Sequence, residues 1–567
     1  HSSLTIGSRY FTNGAGTIGL AGNARGFEFI GKAISATQIQ LQDREFEFYA
    51  EADGAVTKGG PIEVASGKIK AIVGNSMLIS DSVEGTTNET YQTFNPIYDP
   101  DTQRTVYVYR DKDQSYYPVS IVVKASGTGI DTIGTPVVVA SENMASRFNL
   151  GFYDPDTDRV VVTWTKGTGT ESLRYAVGTV TGGTTNSTSW GTAGDAGDNT
   201  YVPSYNLSYD TAASRALLVK VRGAGNNADP RDLRYFVGTV TGGTTNSINW
   251  GSQKTVRSDN GVNAGYRMRA QAYCPNINRH AIFYFDYHST DTVVGIVGTL
   301  TGGTTNSVSW SSDNDFISSA SDPGMKGAEL SHDPDRSTGS YDVFALFYGA
   351  ANEGGDMKAV RLSFAADGTR TASSTIELDD TSNIHANDRE SVSGDWGVTY
   401  DKNLNKHIVI VSDTQGGTKV VEVTVGGDGN ASGTISAGEF SSKLSTLANE
   451  YSYSKVIYDE SVSKTIISYS DSGYNSDTQS GALLFRMITG PAVASTKTNF
   501  DGFAQYAASD GNLVAAKLDY SIDNNQSGLT AGSTYYLDSE TALTTTSTSN
   551  QKVGVALTAT DLQIIKT

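Results

Sequence analysis

The heptapeptide TGGTTNS stands at residues 181–187, 241–247 and 301–307, at intervals of sixty residues. Each copy follows VGTV or VGTL and is followed by a tryptophan: Trp190, Trp250 or Trp310. Identity at a fixed period of this length marks a repeat architecture. A second anchor widens the array: an aromatic or histidine residue ahead of a polar turn. It stands at Tyr98 (YDPDTQR), Tyr153 (YDPDTDR), Tyr209 (YDTAASR), Tyr273 (YCPNINR), His332 (HDPDRS), Tyr400 (YDKNLNK) and Tyr458 (YDESVSK). That makes seven units, 55 to 68 residues apart.

Within a unit the pattern is strand, turn, strand, loop, strand, turn, strand. In the second unit the pieces are RFNLGFY, the DPDTD turn, RVVVTWT, a Gly-rich loop, LRYAVGTV, the TGGTTN turn and the stretch around SWGT. Asp-Pro and Gly-Gly-Thr-Thr-Asn are turn chemistry, and short Val/Ile/Tyr/Thr runs between them are strand chemistry. Composition agrees: 61 Gly, 30 Tyr and only 12 Pro in 567 residues. The expected fold class is all-β, a seven-bladed β-propeller of four-stranded blades, because one blade cannot bury both its faces alone.

The ends of the array predict how the ring closes. The seventh unit supplies YSYSKVIY, KTIISYS and ALLFRMI, then runs into unrelated sequence without a fourth strand. Upstream of the first unit lies NSMLISDS, and residues 76–82 are expected to complete the last blade as its N-terminal closing strand. Closure of this kind removes exposed sheet edges. The flanks hold a second repeat: LTIGSRYFTNG at Leu4 matches LTAGSTYYLDS at Leu529, and IGKAISATQIQLQ at Ile30 matches VGVALTATDLQII at Val553. The expected organisation is a partial N-terminal β module (1–42), a linker (43–74), the propeller (75–493) and a C-terminal β module (494–567). The end modules read as small barrels or sandwiches. His1 in first place reads as a processed or truncated product.

The pattern GLTxGxxYY, a Thr-rich stretch and VGxALxATxL, carried here by residues 528–536 and 553–562, resembles the small β modules that end bacteriophage tail fibres and decorate capsids. Repeats of the type YDPDTDRVVV…VGTVTGGTTNS resemble those in structural proteins of marine and cyanobacterial phages. The resemblance implies a virion surface protein, tail fibre or capsid knob. It transfers no defined set of functional residues.

Charge and cysteine count narrow the partners. With 42 Lys+Arg against 61 Asp+Glu the net charge is −19, and the isoelectric point is 4.7. Phosphate backbones repel such a chain, so no nucleic acid is expected. No apolar run approaches 18 residues, so no membrane insertion is expected. A lone Cys274 forms neither an internal disulfide nor a multi-cysteine metal site.

The loops joining the second strand to the third vary between units, and variation inside an array is where binding chemistry is expected. They mix Tyr, Asn and Asp, which suits stacking on sugar rings and bonding to hydroxyls. The candidate ligand-binding residues are Asp111, Asp113, Tyr116, Tyr117, Asn226, Asn227, Asp286, Tyr287, Tyr348 and Tyr474. Asp154, Asp156 and Asp158 have the oxygen chemistry for Ca²⁺, but a hairpin turn accounts for them, so the expectation is no cofactor or metal, with Ca²⁺ at this turn the lesser alternative. No G-x-S-x-G elbow, P-loop or H-E-x-x-H occurs, and the six His show no ligand spacing, so no catalytic residue and no enzyme is expected. The leading expectation is a virion adhesin, extracellular and homo-oligomeric, that binds a host surface glycan. Its end modules would dock to other virion proteins. The alternatives are a purely architectural knob and a polysaccharide-degrading tailspike.

Overall fold

The computed structural model describes the chain between Arg9 and Ile565 except for connecting stretches, of which 20–28, 379–395, 445–453 and 471–481 are among the longest. Several strands before residue 91 are described by their backbone alone. The chain divides into two compact units: Met77–Pro491, and His1–Ser76 together with Ala492–Thr567.

The larger unit is a β-propeller. Its described residues form seven antiparallel sheets, each starting on an inner strand: Thr90–Asp99, Met144–Asp154, Tyr205–Asp210, Tyr266–Cys274, Met325–Thr338, Gly397–Asp401 and Ser454–Asp459. We number the blades 1 to 7 in that order. Inner strands touch their neighbours in sequence, and the strand of blade 7 touches that of blade 1, so the ring is closed. In six of the blades the outermost position carries two short strands instead of one. In blade 2 they are Ser187–Trp190 and Gly194–Asp195, both paired to Ser172–Thr181.

Each of the seven junctions is filled by its own apolar cluster, because alternate residues of every strand point to opposite blade faces. Between blades 2 and 3, for example, Val161, Leu173 and Val177 meet Tyr205, Leu218 and Phe236. Between blades 1 and 7, Tyr107, Val119 and Ile121 meet Ile466, Leu483, Phe485 and Met487.

The closing strand is where the sequence puts it. Ser76–Ile79 lies at the edge of blade 7 beside Leu483–Val493, and Val83–Thr86 pairs with the same strand, Val83 opposite Phe485. Ser80 N–H donates to Met487 O at 2.8 Å, and Met487 N–H donates back to Ser80 Oγ at 2.9 Å.

In the smaller unit the two copies of the end module share one strand order. Ile18–Gly19, Arg9–Thr12, Phe29–Ala33 and Ile39–Leu41 lie in the same order as Leu543–Thr544, Thr534–Leu537, Gln551–Ala556 and Leu562–Ile564. The register is also shared: Gly31 faces Leu41 as Gly554 faces Ile564, and Arg9 faces Lys32 as Thr534 faces Val555.

One expectation is corrected here. Residues 43–74 are no linker: Glu47–Glu51, Pro61–Ala65 and Lys68–Ala71 form a five-stranded sheet with Gly502–Ala504 and Leu513–Leu518. A parallel bridge from Ala52 to Ile69 joins the sheet's two edges. The result is a small barrel whose interior takes mostly small side chains, among them Ala50, Ala52, Ala504 and Ala516 with Ile62 and Ile69. A barrel of few strands has little room inside.

Candidate functional site

The two faces of the ring differ in what their loops do. On one face lie the first turns (Asp99, Asp154, Asp210 and their equivalents) and the TGGTTNS turns. Six of the seven first turns open on a carboxylate that accepts backbone N–H groups two or three residues on, for example Asp101 N–H to Asp99 Oδ1 at 3.0 Å, Ala212 N–H to Asp210 Oδ1 at 3.0 Å and Asn403 N–H to Asp401 Oδ1 at 2.9 Å. Six of the turns, all but that of blade 5, end on a residue in the left-handed region, such as Gln103 (φ 55°), Asp158 (φ 54°) or Asn405 (φ 53°). These are Asx turns closed by an αL residue, as the Asp-rich sequence requires.

These turns are tied to each other. The Tyr209 hydroxyl of blade 3 is shared between Asp154 Oδ1 (2.5 Å) and Asp156 Oδ2 (2.6 Å) of blade 2. Tyr400 donates to Asp335 Oδ2 at 2.6 Å, and at the seam Ser461 N–H donates to Tyr98 Oη at 3.0 Å. Burial and the facing carboxylates push the Tyr209 and Tyr400 phenols well above the ordinary range. Arg104 Nε donates to Asn186 Oδ1 at 2.7 Å, and Arg159 Nε to Asn246 Oδ1 at 2.8 Å, so the asparagine of TGGTTNS receives the arginine of the preceding blade. The carboxylates of the DPDTD turn are therefore occupied by protein donors. Among the described residues no group of three His, Cys, Asp or Glu side chains is placed to hold a metal ion.

Two histidines that the sequence leaves scattered turn out to have equivalent partners. His280 is fully buried between blades 3 and 4, with Nδ1 2.9 Å from Ser208 Oγ and Nε2 3.2 Å from Asp210 Oδ2. His407 repeats this between blades 5 and 6, with Nδ1 2.8 Å from Ser331 Oγ and Nε2 3.6 Å from Asp333 Oδ2. The order serine, histidine, aspartate is that of a nucleophile with its base. Here the histidines are sealed, and Ser208 already accepts Gln271 Nε2 at 2.6 Å. The geometry is a clasp between blades, and no reacting carbonyl has room beside it.

The opposite face carries the loops between second and third strands. Of the candidate ligand residues, four share the loop 111–117. Asp111 and Tyr348 are corrected: each is almost fully buried. Asp111 accepts Gln114 N–H at 3.2 Å as the cap of its own turn, and burial raises its carboxyl. Tyr348 packs in the core between blades 4 and 5. Asp113 is exposed, and Tyr116 and Tyr117 are half-buried. Ser115 (φ 59°) and Tyr116 (φ 63°) are consecutive left-handed residues, and the Arg110 guanidinium lies 4.3 Å from the Tyr116 ring centroid. A bulky residue at positive φ is strained, and such strain gathers at functional loops. Asp286 is half-buried at a strand end, and Asn227 opens the strand Asn227–Thr241, its side chain undescribed. Asn226, Tyr287 and Tyr474 lie outside the described residues.

A further feature, not visible in the sequence, is a cavity of about 340 Å³ on the ring axis, lined by residues of all seven inner strands. Its charged members are Glu329 and Lys455, which form an ion pair, and Glu329 Oε2 also accepts Val398 N–H at 3.2 Å.

No family model matches the chain, and no curated protein matches it. Solved structures do. A leech intramolecular trans-sialidase is similar at 9% identity and a TM-score of 0.38, over 78% of this chain and 98% of its own. Drosophila Semaphorin 1b is similar at 7% and 0.38, over 77% and 94%. An ulvan lyase, described as a new family of polysaccharide lyase, is similar at 10% and 0.43, over 71% and 95%. At this level the likeness concerns the fold alone. The expectation of a chain without catalytic activity is nonetheless withdrawn, because trans-sialidases and a polysaccharide lyase stand among the proteins similar to it.

Proposed function

We propose that this chain recognises a glycan through the face bearing the second-to-third-strand loops, and that its end modules hold it on the surface of a virus particle. One observation carries the first half. The turns of the other face are consumed in ties between blades, whereas loop 111–117 spends backbone strain on presenting Tyr116 under Arg110 beside an exposed Asp113. Aromatic rings and carboxylates suit sugar faces and hydroxyls. Many copies on one particle would multiply a weak affinity per site.

The second half rests on the resemblance to phage fibre and capsid modules and on the duplicated end module. A duplicated unit of identical register is a natural element for repeated docking to other virion proteins and to further copies of the chain. The matching experiment is electron microscopy of particles labelled with an antibody to the chain.

For the glycan, the test is an array of host surface polysaccharides probed with the full chain and with Tyr116→Ala. Binding that is lost in the variant supports the reading, and equal binding by both proteins overturns it. Mass spectrometry of the bound glycan after incubation shows in the same experiment whether it is cut.

A further inference from the structure

The repeats make the axial cavity informative, because seven equivalent positions can be compared within one chain. Four residues before the turn Asp or Cys of each blade stand Asn95, Leu150, Asn206, Ala270, Glu329, Gly397 and Lys455. The neighbouring scaffold is nearly uniform: six of the seven turns begin with Asp, and six are followed by Arg or Lys. A level of the ring that only had to pack would show the same uniformity. This one carries two amides, one acid and one base, all four of them on the cavity wall.

We infer that the axial cavity is a binding site for one neutral, polyhydroxylated molecule of about monosaccharide size. Its volume lies at the lower end of the range for small-ligand pockets. Glu329 and Lys455 neutralise each other, so a ligand of either net charge meets a like charge, whereas hydroxyls accept from one partner and donate to the other. Asn206 is almost fully buried and its Nδ2 has no hydrogen-bond partner among the described residues; the same holds for Gln271 Oε1. Asn206 Nδ2 is a spare donor on a side chain whose terminal torsion turns readily, whereas the Gln271 amide is held by Nε2, which donates to Ser208 Oγ at 2.6 Å and to Leu217 O at 2.9 Å. Leu150, Leu207, Leu330 and Val456 complete the wall and suit the C–H faces of a sugar ring. The wall as a whole exposes more polar than apolar surface, which suits a hydroxyl-rich molecule.

The site does not depend on the loop face and is tested separately. The full chain is titrated calorimetrically with the methyl glycosides of neutral hexoses, with glycerol and with glucuronate. The expected result is saturable binding of at least one neutral glycoside at one site per chain. Asn206→Leu is expected to weaken it about tenfold, the loss of one hydrogen bond. A second variant, Asn95→Ser, reads the same level with a smaller change, and thermal melts show that both variants are folded. Failure of every neutral probe to saturate, unchanged binding in both folded variants, or preference for glucuronate each overturns the inference. Loss of array binding in Tyr116→Ala reports the loop face alone, so the two readings fail independently.

Discussion

Cys274 occupies the position at which the other six turns carry aspartate, and the consequence appears only across the blade junction. Without a carboxylate of its own, the turn of blade 4 takes one from blade 5. Asp342 Oδ2 accepts Asn276 N–H at 3.0 Å and Ile277 N–H at 3.1 Å, the two bonds that the turn's own aspartate makes elsewhere, and Oδ1 accepts Asn276 Nδ2 at 3.0 Å. His332 Nε2 adds a contact at 2.8 Å, so the histidine that replaces the array's tyrosine also belongs to this repair. Burial and the Asp342 charge drive the Cys274 thiol up, which leaves it unreactive. Asp342→Ala is therefore expected to cost about 2–4 kcal/mol, since several buried donors lose their acceptor. Cys274→Asp alone is expected to destabilise, by crowding two carboxylates, and to restore stability in the Asp342→Ala background. Urea denaturation of the double-mutant cycle measures this, and simple additivity would exclude the exchange of roles.

At the scale of the element, the repeated motifs are junction hardware. The glycine of VGTV is fixed by its tryptophan: a Cβ on Gly178 would stand 2.6 Å from the Trp190 ring. Gly178→Ala is expected to lower stability by about 1–3 kcal/mol through overpacking, as read by thermal melting. The histidine clasps make two junctions sensitive to acid. Burial depresses His280 and His407 below the ordinary histidine value of 6.5, with Asp210 and Asp333 opposing it only in part. The unfolded chain then binds more protons than the folded one as pH falls below about 6.5, so stability contributed by the neutral clasps is present above that pH and lost below it. The expected result is a melting temperature that falls between pH 6.5 and 5, with a shallower slope in the His280→Gln, His407→Gln double variant. Identical slopes would show that other groups govern acid sensitivity.

On the scale of the whole molecule, closure of the ring depends on a segment some four hundred residues distant from its partner. Ser80 supplies two of the closing bonds, and Arg486 Nη1 reaches Ser80 O at 3.4 Å. Ser80→Pro removes the N–H and the hydroxyl together and is expected to open the seam between blades 1 and 7. Limited proteolysis should then cut between residues 76 and 90 well before the blades themselves, and a cleavage pattern equal to that of the parent would argue against the latch.

The sequence by itself determined the repeat, the turns and the closing strand. These are carried by local chemistry: an Asx turn needs its Asp, a left-handed turn its Gly or Asn, and a period of near sixty residues needs no tertiary knowledge to count. What only the tertiary structure decided lies between residues far apart in the chain. Glu47–Glu51 reads as linker because its partner Leu513–Leu518 is more than four hundred and fifty residues away. Asp111 and Tyr348 read as loop ligands because burial at a strand end depends on the neighbouring strands. The axial cavity, the histidine clasps and the loan of Asp342 arise where blades meet, and a junction is set by packing that no single blade contains.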